Sequence, residues 1–275
     1  MAFFKTSDGV KLFYREKGDG PALVLIHGWS ADHRRFIQLF HALSKQYRVI
    51  VYDQRGHGQS GHTSSQLTLK RLATDLKELM ASLDIKNAVI GGWSMGGSTV
   101  FEYSRLFGTE GLAGICIFDM TPKVVNDASW SLGLYHGKYT LEDAVDSLAR
   151  MCEDWPREGA AFVRTIAPYL KGDMLDVSVR EIGKNDPYVM TALWLAMVQA
   201  DYRAILPQID VPALIAYGDK STLYAPETAF YLGEHIPDAE VVPFEDCTHL
   251  LIIENPKKAI ESVGKFAERV FSQER

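Results

Sequence analysis

The sequence predicts an α/β protein: a doubly wound, mainly parallel sheet with a helical cap inserted between two of its strands. Three observations carry this. Short apolar runs alternate with stretches of helical periodicity, as in successive β-α units. Ala22–Ile26 is continuously apolar, and Arg48–Tyr52 nearly so, the pattern of strands buried on both faces. Finally, residues 122–206 break the alternation and hold no strong strand pattern.

In chain order, Val10-Lys11-Leu12-Phe13-Tyr14 is a first short run, and the turn Gly18-Asp19-Gly20-Pro21 leads into the strand 22–26. A helix follows over about 32–45, with Phe36, Leu39, Phe40 and Leu43 on one face. After the strand 48–52 and a loop rich in glycine and serine, residues 69–83 carry Leu72, Leu76, Leu79, Met80 and Leu83 on one stripe, an amphipathic helix. The strand 88–91 and the helix 95–106 come next, then strands at 114–118, 213–217 and 240–244 and a closing helix at 256–271. Between the fourth and fifth of these buried strands, helices at 140–151, 158–169 and 187–200 form the predicted cap, which holds Trp130, Trp155 and Trp194. The core domain is then 1–121 with 207–275, and the cap 122–206.

At 275 residues the chain can bury one sizeable α/β core. Its composition, 47% hydrophobic and 23% charged, is that of an ordinary globular protein. A net charge of −6 argues against nucleic acid or an anionic membrane as partner, and points to a small-molecule substrate. Cys116, Cys152 and Cys247 are widely spaced and odd in number, so neither a disulfide framework nor a zinc site is expected. The start Met1-Ala2-Phe3-Phe4-Lys5 lacks the pattern of a secretory signal, and no run reaches membrane-span length. The expected location is the cytoplasm; the oligomeric state stays open.

The chemistry lies at strand ends. Gly92-Trp93-Ser94-Met95-Gly96 fits G-x-S-x-G, a serine on a sharp strand-to-helix turn with its hydroxyl exposed. It sits between a predicted strand and a predicted helix, the context the motif demands. In a parallel sheet the ligand site lies outside the carboxyl ends of the strands, where this chain places His27-Gly28-Trp29, Asp53, Ser94, Asp119, Asp219 and His249. A serine hydroxyl needs a base and a third group to orient that base. Ser94 is the candidate nucleophile and His249, after the last strand, the candidate base. Arg55-Gly56-His57-Gly58 lacks the Lys-Ser/Thr of a phosphate loop and reads as a tight structural turn. His27, His33, His57 and His62 share no metal-ligand spacing, and Cys247 reads as a small buried side chain.

Through His27-Gly28-Trp29, Asp53-Gln54-Arg55-Gly56-His57-Gly58-Gln59-Ser60, the serine turn and the late histidine, the chain resembles the α/β-hydrolase superfamily over essentially its whole length. In many members the acid stands after the strand that follows the cap, in a pattern like Gly-x-x-Asp. Here that stretch is Gly218-Asp219-Lys220-Ser221, so the expected position holds serine and Asp219 falls two residues early. A minority take the acid from the strand end before the cap, where this chain has Phe118-Asp119-Met120. Asp119 is the first candidate acid and Asp219 the alternative. The resemblance places the oxyanion-hole amides on Trp29 and Met95.

These features imply a cofactor- and metal-independent serine hydrolase acting on a carboxylic ester, lactone or thioester of a small apolar or aromatic molecule. At subfamily level the chain looks like small bacterial carboxylesterases, although those usually carry the later acid. Ser94 excludes the halide displacement of haloalkane dehalogenases, whose nucleophile is aspartate. Two alternatives stay open: a cofactor-free dioxygenase of a hydroxylated quinolone, whose acid also precedes the cap, and a non-catalytic small-ligand receptor on the same fold.

Overall fold

The structure, a computed structural model, describes residues 2–272. One eight-stranded sheet carries the chain, in the order β1-β2-β4-β3-β5-β6-β7-β8. The strands are β1 (Ala2–Lys5), β2 (Lys11–Lys17), β3 (Ala22–Ile26), β4 (Arg48–Tyr52), β5 (Ala88–Trp93), β6 (Leu112–Phe118), β7 (Ala213–Gly218) and β8 (Ala239–Phe244). β2 pairs antiparallel with both β1 and β4, and every pairing from β4 to β8 is parallel. Every residue of β3, β5 and β6 is buried, which is why their sequences run apolar instead of alternating.

From β3 the chain steps outward to β4 and then crosses back to β5 on the other side of β3. That reversal separates the two connections and opens a crevice at the carboxyl ends of β3 and β5. Two sequence features turn at this place: His27-Gly28-Trp29 leaves β3 and Ser94 leaves β5.

The connecting helices follow their periodicity. Leu69–Ser82 buries Leu72, Leu76 and Leu79 against the core and starts at Thr68, whose side chain accepts from the Arg71 N–H. The helix expected over 32–45 is divided: His33–Phe36 is a 3-10 turn, and only Ile37–Leu43 is α-helical. Strand β1 is an edge with alternating burial, too short to stand out from its sequence. Between β6 and β7 lie helices Leu141–Glu153, Trp155–Ile166, Gly172–Gly183 and Pro187–Val198. Thr140 and Asp143 cap the first reciprocally, and Asp154 and Asp186 cap the second and fourth ahead of a proline. The third has no counterpart in the sequence reading: it fully buries only Ile182, with Leu175 and Val179 half-buried on the same face, and its core stripe is obscured by the exposed Met174 and Val177.

Arg55, in the turn after β4, has a fully buried side chain whose guanidinium is bonded to Asp75 at 2.6 and 2.8 Å and to Asp8 at 3.0 and 3.1 Å. Its role is to tie this turn to the helix Leu69–Ser82. Arg55→Met strands the Asp75 carboxylate in the interior. The expected loss is about 3–5 kcal/mol, nearer the lower figure because Arg71 also bonds Asp75 at 2.9 Å. A urea midpoint unchanged from wild type contradicts this.

Candidate active site

Ser94 sits at φ 55°, ψ −124°, between the end of β5 and the helix Met95–Phe107. Few non-glycine residues hold such a conformation, and a local strain of about 1–3 kcal/mol must be supported by the surroundings. Gly92 and Gly96 provide that support by close approach. A Cβ on Gly92 would lie 2.1 Å from the Gly96 oxygen, and one on Gly96 would lie 2.2 Å from the Ile26 oxygen. No side chain fits either place, so the helix start packs directly on β3 and β5. The turn is held further by the Ser94 N–H, which donates to Phe118 O at 3.0 Å.

The same register places Asp119, the first candidate acid. Trp93 pairs with Phe118 across β5 and β6, so Ser94 and Asp119 leave the sheet at one level. Asp119 also has positive φ, 46°, and its N–H donates to Ala216 O at 2.8 Å. Its buried carboxylate accepts from His249: Nδ1 to Oδ2 is 2.6 Å. The Ser221 hydroxyl donates to the same oxygen at 2.6 Å, and the Gly218 N–H approaches Oδ1 at 3.4 Å. With its proton on Nδ1, the imidazole keeps Nε2 as a free base. Trp93 Nε1–H donates to His249 O at 2.8 Å, fixing the loop that carries the histidine.

The structure does not bring Asp219 to this imidazole. Its carboxylate lies 3.5 Å from Lys220 Nζ, with Oδ1 buried and unpartnered. Ser221, at the position where the superfamily's usual acid is expected, instead serves Asp119. Ser94 and His249 line one cavity without a hydrogen bond between them among the described residues; such contacts are commonly long before substrate arrives.

Above Ser94, Gly28 approaches so closely that a Cβ there would lie 3.0 Å from Ser94 Cβ. The Gly28 oxygen accepts from Ala31 N–H at 3.2 Å, a turn that leaves the Trp29 amide outside its own hydrogen bond. Met95 is the first residue of its helix, so its amide is one of the four without an intrahelical acceptor. Both amides belong to segments flanking Ser94, as an oxyanion hole requires.

Two histidines that the sequence reading left without a role hold this loop. His27 Nε2 accepts from the Gln54 N–H at 2.9 Å while Nδ1 donates to Gly28 O at 2.7 Å. His57 Nε2 accepts from the Ser30 N–H at 3.2 Å while Nδ1 donates to Arg55 O at 3.0 Å. Each uses one nitrogen as acceptor, so each must stay neutral. Burial pushes both pKa values down, that of His57 to about 3. The unfolded chain takes up these protons near pH 6.5. Stability from this source is therefore full above pH 6.5 and declines as pH falls toward the folded values, by about 1.4 kcal/mol per pH unit and histidine. Asp32, held down to about 2 by Arg34 against its own burial, titrates only further down. Urea denaturation at pH 7, 6 and 5 should show this decline, and a flatter one in His57→Gln; equal slopes contradict it.

The cavity has a volume of about 910 Å³. Trp29 forms one wall, edge-on to Trp155 and Phe162 at 5.4 and 5.1 Å between ring centres and tilted on Trp194 at 4.8 Å. Its Nε1–H donates to Met190 O at 2.9 Å, which ties the wall to the helices between β6 and β7. Cys247 is buried, and burial pushes its thiol up to about 11. Asp32, His33 and Asp53 bring ligand atoms within 4.8 Å of one another, but His33 already bonds Asp53 at 2.8 Å and Arg34 grips Asp32. Among the described residues, no helix is long and apolar enough to cross a membrane.

Comparison with known proteins bears on the family and the fold. An "AB hydrolase superfamily protein" of Bacillus subtilis, YisY, is 26% identical, with 96% of this chain and 98% of that protein aligned. A pimeloyl-[acyl-carrier protein] methyl ester esterase of Nitrosospira multiformis is 25% identical over 94% of this chain and 98% of its own. Among solved structures, an esterase from Exiguobacterium antarcticum superposes with a TM-score of 0.88 at 22% identity, covering 97% of this chain and 98% of that one. The family described as alpha/beta hydrolase fold matches residues 21–256, and the chain belongs to it.

Proposed function

We propose that the protein is a serine hydrolase that cleaves a carboxylic ester, lactone or thioester through an acyl-enzyme on Ser94. The observation that carries this reading is the bond from His249 Nδ1 to Asp119, which leaves Nε2 as the base in the cavity where a strained Ser94 also lies. Relatives named as ester hydrolases support the same class.

Substrate binds with its carbonyl oxygen toward the Trp29 and Met95 amides. Ser94 Oγ attacks the carbonyl carbon as His249 Nε2 takes the hydroxyl proton, and the oxyanion forms against the two N–H groups. The bond to the leaving oxygen or sulfur breaks, and His249 returns the proton to it. A water molecule, deprotonated by His249, then attacks the acyl carbon; the bond from that carbon to Ser94 Oγ breaks, His249 returns the proton to Oγ, and the acid leaves. Asp119 keeps its charge throughout and stabilises the transient imidazolium.

The direct test is a fluorophosphonate probe, which traps an activated serine covalently. Peptide mass analysis is expected to place the adduct on Ser94, with parallel loss of p-nitrophenyl ester hydrolysis; absence of both adduct and turnover overturns the reading. The placement of the acid before the helical insertion keeps the dioxygenase as a second reading. Oxygen uptake with a 3-hydroxy-4-quinolone, unaffected by Ser94→Ala, would establish that chemistry instead.

A further inference from the structure

The cavity that holds Ser94 and His249 is also lined by Arg34, Arg35 and Lys184. Two of these cations are committed. Arg34 bonds Asp32 at 2.6 Å and reaches Glu181 at 3.3 Å, and Lys184 pairs with the same Glu181. Asp53 is occupied by His33, and Asp173 is exposed. Arg35 stands apart. It is half-buried on the 3-10 turn His33–Phe36; its backbone N–H donates to Asp32 O at 3.1 Å, but its guanidinium has no hydrogen bond or ion pair among the described residues. Asp32 and Glu181 are close enough for it to feel their charge, yet both carboxylates are bound by Arg34. Burial pushes its pKa below the ordinary guanidinium value, as expected of a charge whose lost hydration is not replaced.

An uncompensated guanidinium in a cavity wall is costly unless something anionic arrives. Ile166, Leu170, Leu250 and Ile253 line the same space and offer an apolar chain a surface. Of the three permanent cations in this wall, Arg35 alone has no hydrogen-bonded anion among the described residues, so it has room for one anionic group. A guanidinium fork matches the two oxygens of a carboxylate.

We infer that Arg35 receives a carboxylate on the substrate, so that the cavity is shaped for an ester whose apolar chain ends in a negative charge away from the scissile bond. This rests on the ester-cleaving reading of Ser94 for its reaction, but not for the binding of the anion.

The test compares mono-p-nitrophenyl suberate with p-nitrophenyl octanoate, equal in chain length and different in terminal charge. Wild type is expected to favour the charged ester in kcat/KM. In Arg35→Gln that preference should fall roughly ten- to hundredfold, the worth of a charge-assisted hydrogen bond, mostly through KM; Arg35→Lys should retain part of it. A preference unchanged in Arg35→Gln, or equal loss on both esters, overturns the proposal while leaving ester cleavage intact. Calorimetry of octanedioate binding to wild type and Arg35→Gln gives a second readout that needs no turnover. If neither ester is cleaved, the reading of Ser94 fails. Arg35-dependent binding of the dicarboxylate then upholds the carboxylate site, and absent or Arg35-independent binding removes it.

Discussion

Replacing Asp119 by asparagine is expected to lower kcat for ester hydrolysis about ten-thousandfold, whereas the same change at Asp219 should leave it within about threefold. The difference follows from one oxygen. Asp119 Oδ2 accepts from both His249 Nδ1 and the Ser221 hydroxyl, each at 2.6 Å. An asparagine of the same shape has one carbonyl and one NH2. If the NH2 faces the imidazole, Nδ1 must become the acceptor and the ring proton moves to Nε2, the atom that has to take the proton of Ser94. If the carbonyl faces it, the tautomer survives but the negative charge that stabilises the imidazolium is gone. Asp219 faces Lys220 and influences neither state. Initial rates with p-nitrophenyl esters at saturating substrate decide the matter, and damage confined to Asp219→Asn would move the acid there.

The parallel sheet was legible in the sequence because burial on both faces leaves strands such as Val24-Leu25-Ile26 with no polar interruption. Ser94 was legible because its flanking glycines answer to backbone crowding, a constraint local enough to leave a five-residue trace. The candidate acid was harder to read. Asp119 and Asp219 each follow a buried strand, and what separates them is the hydroxyl of Ser221, distant in sequence from Asp119, and the direction in which each carboxylate leaves the sheet. Sequence spacing holds neither. His27 and His57 were unreadable for a related reason: their role depends on which ring nitrogen accepts a backbone N–H. The lone signal was their recurrence at strand ends beside Gly28 and Gly58. Arg35 left none, since a cation without a partner resembles any surface arginine until its neighbours Arg34 and Lys184 are seen to be taken.

Ser94→Ala should reduce kcat by about a millionfold, with only the weak residual catalysis of a preorganised oxyanion site remaining over the uncatalysed reaction. The substitution isolates chemistry from folding. Alanine occupies the φ 55° turn with the same Cβ as serine, and no hydrogen bond of the Ser94 hydroxyl holds the described structure together. Its fold and urea midpoint should therefore match wild type while turnover disappears. Ser94→Gly, equally inactive, separates the strain from the reaction: a residue free of the Cβ penalty at positive φ relaxes there. Its folded state should gain about 1–3 kcal/mol of relieved strain, offset by about 0.4–1 kcal/mol from the looser unfolded chain. Ser94→Gly that is no more stable than Ser94→Ala would mean that the turn is not strained, and that the glycines of this motif serve only to let the helix approach the sheet. A more stable Ser94→Gly would show that the chain gives up stability to hold a hydroxyl at the crevice between β3 and β5, where its reaction needs it.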